Sequence, residues 1–156
     1  MHKKNMSSKT SLALSPKRRR SSLGPWKPTI LIAEDSIDSR EMMQLLLEIR
    51  GYRVLAAVDG VHALEVATKS RPDAILLDLQ LPRLDGLSVT RNLRTKRVFQ
   101  KLPIIIISGH DPNRYREEAI EAGCNDYLLK PINFDRLQMV LDRMLPRDRR
   151  KRLRSA

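Results

Sequence analysis

Five short aliphatic runs punctuate the chain, at 29–33, 53–57, 73–77, 103–107 and 126–129. Each is four or five residues long and mostly aliphatic or β-branched, which is the signature of a strand buried on both faces. Amphipathic stretches fill the intervals and predict helices near 37–49, 60–69, 86–96, 112–122 and 134–145. The first follows Ser36 as a cap, carries Met42, Leu45, Leu46 and Ile49 at helical spacing, and stops at Gly51. The last follows Asn133, sets Phe134, Leu137, Val140, Leu141, Met144 and Leu145 on one stripe, and ends before Pro146. That stripe reads as core rather than as a cofactor box. Five β-α units in strict alternation predict an α/β fold in which helices cover both faces of a parallel five-stranded sheet. With right-handed crossovers, the expected doubly wound strand order is 2-1-3-4-5.

Length and composition agree with one domain of ordinary size: 156 residues, 41% hydrophobic and only 4% aromatic, suit an aliphatic core. The single cysteine, Cys124, has no partner for an internal disulfide and reads as a small buried side chain, so a reducing, cytoplasmic location is expected. No apolar stretch approaches the roughly 20 residues that span a bilayer. Arg18-Arg19-Arg20 is followed by no apolar signal core, so it does not read as an export signal.

The net charge of +12 changes meaning once it is divided along the chain. Residues 1–28 hold eight Lys/Arg and no acid, and residues 146–156 hold six Lys/Arg and one acid, Asp148. The stretch 29–145 holds 16 basic and 17 acidic residues and is close to neutral. The expected organisation is therefore a basic, disordered N-terminal tail over 1–28, a domain over 29–145, and a basic C-terminal tail over 146–156.

Candidate chemistry gathers at the strand ends. Glu34 and Asp35 close the first run, Asp78 closes Asp73-Ala-Ile-Leu-Leu, Ser108 closes Pro103-Ile-Ile-Ile-Ile, and Lys130-Pro131 closes the fifth. In open α/β sheets this is the edge over which loops open a crevice. Strands 1 and 3 are neighbours in the expected order, which brings Glu34, Asp35 and Asp78 within a few ångströms. Clustered carboxylates repel and resist desolvation unless a cation neutralises them. Their hard oxygens favour Mg²⁺, with Mn²⁺ as the alternative, and His2, His62 and His110 are not spaced as a metal set. Such an ion keeps positions open for phosphate oxygens, Lys130 adds positive charge, Ser108 adds a hydroxyl, and Asp78 is the expected nucleophile of a phosphoryl transfer.

These residues, together with Pro82, Asp85-Gly86 and Tyr127, make 29–145 resemble the receiver domain of two-component response regulators, a flavodoxin-like (βα)5 fold. The resemblance implies that Asp78 is the phosphoacceptor and that Lys130 pairs with it or with its phosphate. Asp35 would be the main side-chain Mg²⁺ ligand, Glu34 would assist through water, and Gln80 would contribute its backbone carbonyl. Ser108 and Tyr127 would form a switch that alters the surface of helix 4, strand 5 and helix 5. The Lys130-Pro131 bond would be cis. Gln80 and His110, bordering the path of attacking water, would tune dephosphorylation, while Pro131, Asp85 and Gly86 would be structural. Glu34 and Ser108 stand where aspartate and threonine are frequent, and each keeps the functional group.

By the same resemblance the partners are a histidine kinase or histidine phosphotransfer protein and a downstream protein target. The chain would be a stand-alone response regulator, monomeric or dimerising on phosphorylation. It would be a signalling phosphoacceptor assisting only its own phosphorylation and dephosphorylation, not an enzyme with an external substrate. Taken singly, Asp35 also reads as a helix cap, Tyr127 as core, Asp85-Gly86 as turn chemistry, and His62 and His110 as surface residues. The alternative function is a docking module whose basic tails bind nucleic acid or another anionic partner. Of the residues that could stack on bases, those tails hold only Trp26.

Overall fold

A computed structural model of the chain describes residues 26–146. Most of both basic tails, and the expectation of disorder made for them, lies outside the described residues. The element order is β1 (Thr29–Ala33), α1 (Ile37–Ile49), β2 (Arg53–Ala57), α2 (Gly60–Ser70), β3 (Ala74–Asp78), α3 (Gly86–Arg94), a 3₁₀ turn (Arg97–Phe99), β4 (Ile104–Ser108), α4 (Pro112–Ala122), β5 (Asp126–Leu129) and α5 (Phe134–Met144). The strands form one parallel sheet in the order β2-β1-β3-β4-β5.

Strand alternation divides the core in two. Ile30, Ile32, Ala74, Leu76, Ile105 and Ile107 face α1 and α5, where they meet Met43, Leu47, Leu137, Val140 and Leu141. Leu31, Ala33, Ile75, Leu77, Ile104 and Ile106 face α2, α3 and α4. β3 and β4 are buried along their whole length, because each is covered on both faces and flanked by other strands. This is why their sequences read as unbroken aliphatic runs.

Several boundaries move for identifiable reasons. β3 starts at Ala74 rather than at 73, since the Asp73 carboxylate accepts the Thr29 N–H at 2.8 Å and sits ahead of the ladder. β4 starts at Ile104 rather than 103, because Pro103 has no N–H to donate. The helix expected to 96 stops at Arg94: the Thr95 hydroxyl donates to the Asn92 carbonyl at 2.6 Å. The buried Phe99 then turns the chain through the 3₁₀ segment. α2 runs one residue further than expected and closes on Arg71 in the left-handed region. α5 ends at Met144, one residue short of the expected 145. Pro28, counted with the N-terminal tail, accepts the Arg53 N–H at 2.9 Å, so sheet bonding begins just before Thr29.

The stripe expected to bury α1 is corrected by the structure. Met42, Leu45 and Ile49 are 54%, 58% and 71% exposed, and the buried residues are Met43 and Leu47, with Leu46 half-buried between the two faces. Two apolar stripes share this helix, and periodicity alone does not say which one meets the sheet. The caps agree with expectation: Ser36 accepts from Ser39 N–H, Asn133 accepts from Arg136 N–H at 3.0 Å, and Gly51 follows α1 with φ +93°.

Candidate active site: an acidic crevice at the strand ends

The sheet register assembles the site. Ala33 pairs with Leu77, Asp78 with Ile107 and Ser108 with Leu129, so Glu34, Asp78, Ser108 and Lys130 emerge on adjacent strands at one edge. The Glu34 N–H donates to the Ala57 carbonyl at 3.1 Å, extending the β1–β2 ladder by one residue and fixing the acid where it leaves the sheet. Arg40 holds the loop from the other side by donating to the carbonyls of Glu34 at 2.8 Å and Asp35 at 3.3 Å.

Lys130 is the pivot. Its Nζ lies 2.8 Å from Asp78 Oδ2 and 2.9 Å from Glu34 Oε2, and its own N–H donates to the Ser108 carbonyl at 2.8 Å. The Lys130-Pro131 bond that follows is cis, as the resemblance implied. The other Asp78 oxygen accepts the Gln80 N–H at 3.0 Å. Glu34 and Asp78 are buried and Asp35 is exposed, and the three carboxylates offer oxygens within 4.8 Å of one another.

Such crowding has an electrostatic cost. Burial, reinforced by the neighbouring Asp78, pushes the Glu34 carboxyl from 4.5 up to about 7, against the pull of Lys130. Burial also works against the Lys130 ammonium, but its bonds to Asp78 and Glu34 outweigh that and hold it above its usual range. Three acids and one amine carry an excess of two negative charges when all are ionised. That excess, and the all-oxygen donor set, fit a hard divalent cation.

The loop after β3 depends on a close approach that sequence patterning only hints at. A Cβ on Gly86 would stand 2.3 Å from the Asp78 carbonyl oxygen, and the Gly86 N–H donates to Leu79 O at 2.9 Å. Glycine is therefore required there by space, beyond the turn role expected of it. Asp85 caps α3, accepting the Ser88 N–H at 2.9 Å and its hydroxyl at 2.8 Å. The sequence reading missed Arg40 and Gly60. The latter packs so tightly that a Cβ would overlap the Leu84 carbonyl, and a lone glycine at a helix start carries no signal of that.

On the β4 side, Ser108 is fully buried and its Oγ accepts the His110 N–H at 3.0 Å. Tyr127 is buried in the core, and its hydroxyl donates to the His110 carbonyl at 3.0 Å. One peptide segment thus links the two expected switch residues. His110 is half-buried, its ring 5.3 Å from that of Tyr115 in an edge contact. His62 is also half-buried and accepts the Val58 N–H through Nδ1 at 3.3 Å. Each is partly exposed and makes a contact in addition. Cys124 is buried, as expected, and burial pushes its thiol up to about 11.

Residues 30–142 match the family model described as the response regulator receiver domain. Response regulator MprA of Mycobacterium leprae is 40% identical over 123 residues, which is 76% of this chain and 53% of that protein. MprA of Mycobacterium sp. strain KMS is 41% identical over 108 residues, covering 69% and 46%. The chain thus spans about half the length of these relatives. Among solved structures, the receiver domain of the sensor histidine kinase PA1611 from Pseudomonas aeruginosa PAO1 is similar, with TM-score 0.71 and 38% identity over 76% of this chain and 98% of that one. That structure holds a magnesium ion coordinated in its active site cleft. The chemotaxis protein CheY4 of Vibrio cholerae has TM-score 0.73 and 30% identity, covering 77% and 100%.

Proposed function

The chain belongs to the response regulator receiver domain family, and on that premise we propose that it accepts a phosphoryl group on Asp78 from a phosphohistidine donor. The observation that carries this reading is the Lys130 ammonium held 2.8 Å from Asp78 and 2.9 Å from Glu34 at the mouth of an acidic crevice. In the step proposed, an Asp78 carboxylate oxygen forms the new bond to phosphorus. The bond from phosphorus to the donor imidazole nitrogen breaks, and its electron pair stays on that nitrogen. Lys130 follows the charge as it moves from the carboxylate to the phosphoryl oxygens, and the Gln80 N–H holds the carboxylate in place. Asp35 and Asp78, with Glu34 and the Gln80 carbonyl, would hold Mg²⁺, which when bound supplies the positive charge that phosphoryl oxygens require. The protein is in this reading a signalling phosphoacceptor acting on itself, with no external metabolite as substrate.

Output would run through Ser108 and Tyr127. Ser108 Oγ now accepts from His110; turning toward a phosphoryl group on Asp78 would release that bond and the peptide that also holds the Tyr127 hydroxyl. The surface that would feel this change carries exposed Ile120 on α4, Leu129 at the end of β5 and Met139 on α5, an apolar set suited to a protein partner. Gln80 and His110 would set the phosphoryl lifetime, and alanine at either position should change the decay rate several-fold. Unaltered decay in both variants would remove that role.

The test is intact-mass measurement after incubation with acetyl phosphate and Mg²⁺. One phosphoryl addition is expected for the wild type, and none for Asp78→Ala or for a sample treated with chelator. Addition that survives loss of Asp78 would contradict the proposal.

A further inference from the structure

Three carboxylates line the crevice, and two of them are held through their side chains. Glu34 accepts from Lys130, and Asp78 accepts from Lys130 and from the Gln80 N–H. Asp35 is different. It is exposed, and among the described residues its carboxylate has neither an ion pair nor a hydrogen-bond donor. Its place beside the other two acids is therefore set by its backbone.

That backbone is a short loop, Glu34-Asp35-Ser36, between β1 and α1. The Glu34 N–H is fixed on the Ala57 carbonyl at 3.1 Å, and Ser36 caps α1. Between these anchors the carbonyls of Glu34 and Asp35 accept from a single atom, Arg40 Nη1, at 2.8 and 3.3 Å. Neither accepts a backbone N–H among the described residues. The two carbonyls belong to the peptide groups on either side of the Asp35 Cα. A peptide group is planar, so holding both planes fixes the two soft dihedrals that aim the Asp35 side chain. Arg40 reaches back to this loop from the fourth position of α1, at the helix end where the dipole disfavours a cation. Its side chain is half-buried and belongs to neither core cluster, so neither the dipole nor core packing favours an arginine there.

On the reading that Glu34, Asp35 and Asp78 hold Mg²⁺, we propose that Arg40 is a positioning residue for that ion, clamping the loop so that the Asp35 carboxylate is aimed into the crevice. Arg40 touches neither the ion nor a carboxylate; it acts through the two carbonyls. Its charge and its hydrogen bonds push metal affinity in opposite directions. A guanidinium close to the site repels a divalent cation, whereas a fixed Asp35 binds it without first having to be ordered. Neutralising Arg40 therefore separates the two effects by sign. Because one nitrogen makes both contacts, a lysine ammonium with its three donors can stand in for it.

Titration of Mn²⁺ into the unphosphorylated full chain, with the free ion counted by electron paramagnetic resonance, tests the proposal. The wild type should bind Mn²⁺ in a form that Mg²⁺ displaces. Arg40→Gln and Arg40→Ala should each bind it about tenfold more weakly, the loss typical when a group that orients a metal ligand is removed. Arg40→Lys should bind nearly as tightly as the wild type. Matching circular dichroism of the metal-free proteins would show that the fold is kept, as expected for a side chain outside the core. In phosphorylation by acetyl phosphate, the Mg²⁺ concentration giving half the maximal rate should rise by the same factor in Arg40→Gln, with the rate at saturating Mg²⁺ little changed. Unchanged or tighter Mn²⁺ binding in the two neutral variants would overturn the positioning role, as would an equal loss in Arg40→Lys. A wild type that binds no Mn²⁺ would instead overturn the crevice as a metal site, and the role of Arg40 with it.

Discussion

Glu34 shows most clearly how one residue registers the demands of the site. Its carboxyl is raised from 4.5 to about 7, chiefly by burial and then by Asp78. Between those values the folded state holds more protons than the unfolded chain, so stability falls as pH rises through the window. Above about pH 7 the full cost of the buried charge is present. Lys130 is raised as well, by its bonds to Asp78 and Glu34, but in a lysine this favours the charged form, and its stabilising contribution is lost only above its ordinary value of 10.5, outside this range. Metal-free wild type should therefore lose up to a few kcal/mol between about pH 5 and pH 8 relative to Glu34→Gln. Thermal unfolding of both proteins at the two pH values measures the difference, and parallel pH profiles would contradict it. Glu34 was legible as an acid at a strand end, but its shifted proton affinity was not. That shift comes from packing around the carboxyl, which a linear pattern does not carry. Gly86 and Gly60 illustrate the same limit, since the atoms that exclude a Cβ belong to other segments.

At the scale of elements, α1 separates what periodicity tells from what packing decides. It carries two apolar stripes, and only Met43 and Leu47 meet the sheet. Leu47→Ala should cost about 2–5 kcal/mol, the loss expected when a fully buried leucine leaves a cavity. Replacing Met42, Leu45 and Ile49 by glutamine should change stability by less than about 0.5 kcal/mol per site. Denaturant midpoints for both variants check this, and equal losses would put the wrong face against the core. The other elements were readable because their sequences leave fewer choices. β3 and β4 are aliphatic throughout and buried on both faces, and α5 has one apolar stripe only. Element ends were less readable, since side-chain bonds such as Thr95 to Asn92 and Asp73 to Thr29 decide them.

The whole molecule is a parallel sheet whose strand ends gather the site at one edge. Strand order brings three carboxylates and a lysine to one edge. The crevice could be anticipated because strand ends are sequence landmarks, and alternation with the order 2-1-3-4-5 brings them together. The central claim concerns the crevice: Asp78 is the atom-level destination of the phosphoryl group. The most direct measurement is borohydride reduction of protein treated with acetyl phosphate and Mg²⁺, followed by peptide mass mapping. Hydride converts an aspartyl phosphate to homoserine and marks the acceptor covalently. The account predicts homoserine at residue 78 alone, and homoserine elsewhere, with aspartate retained at 78, would contradict it.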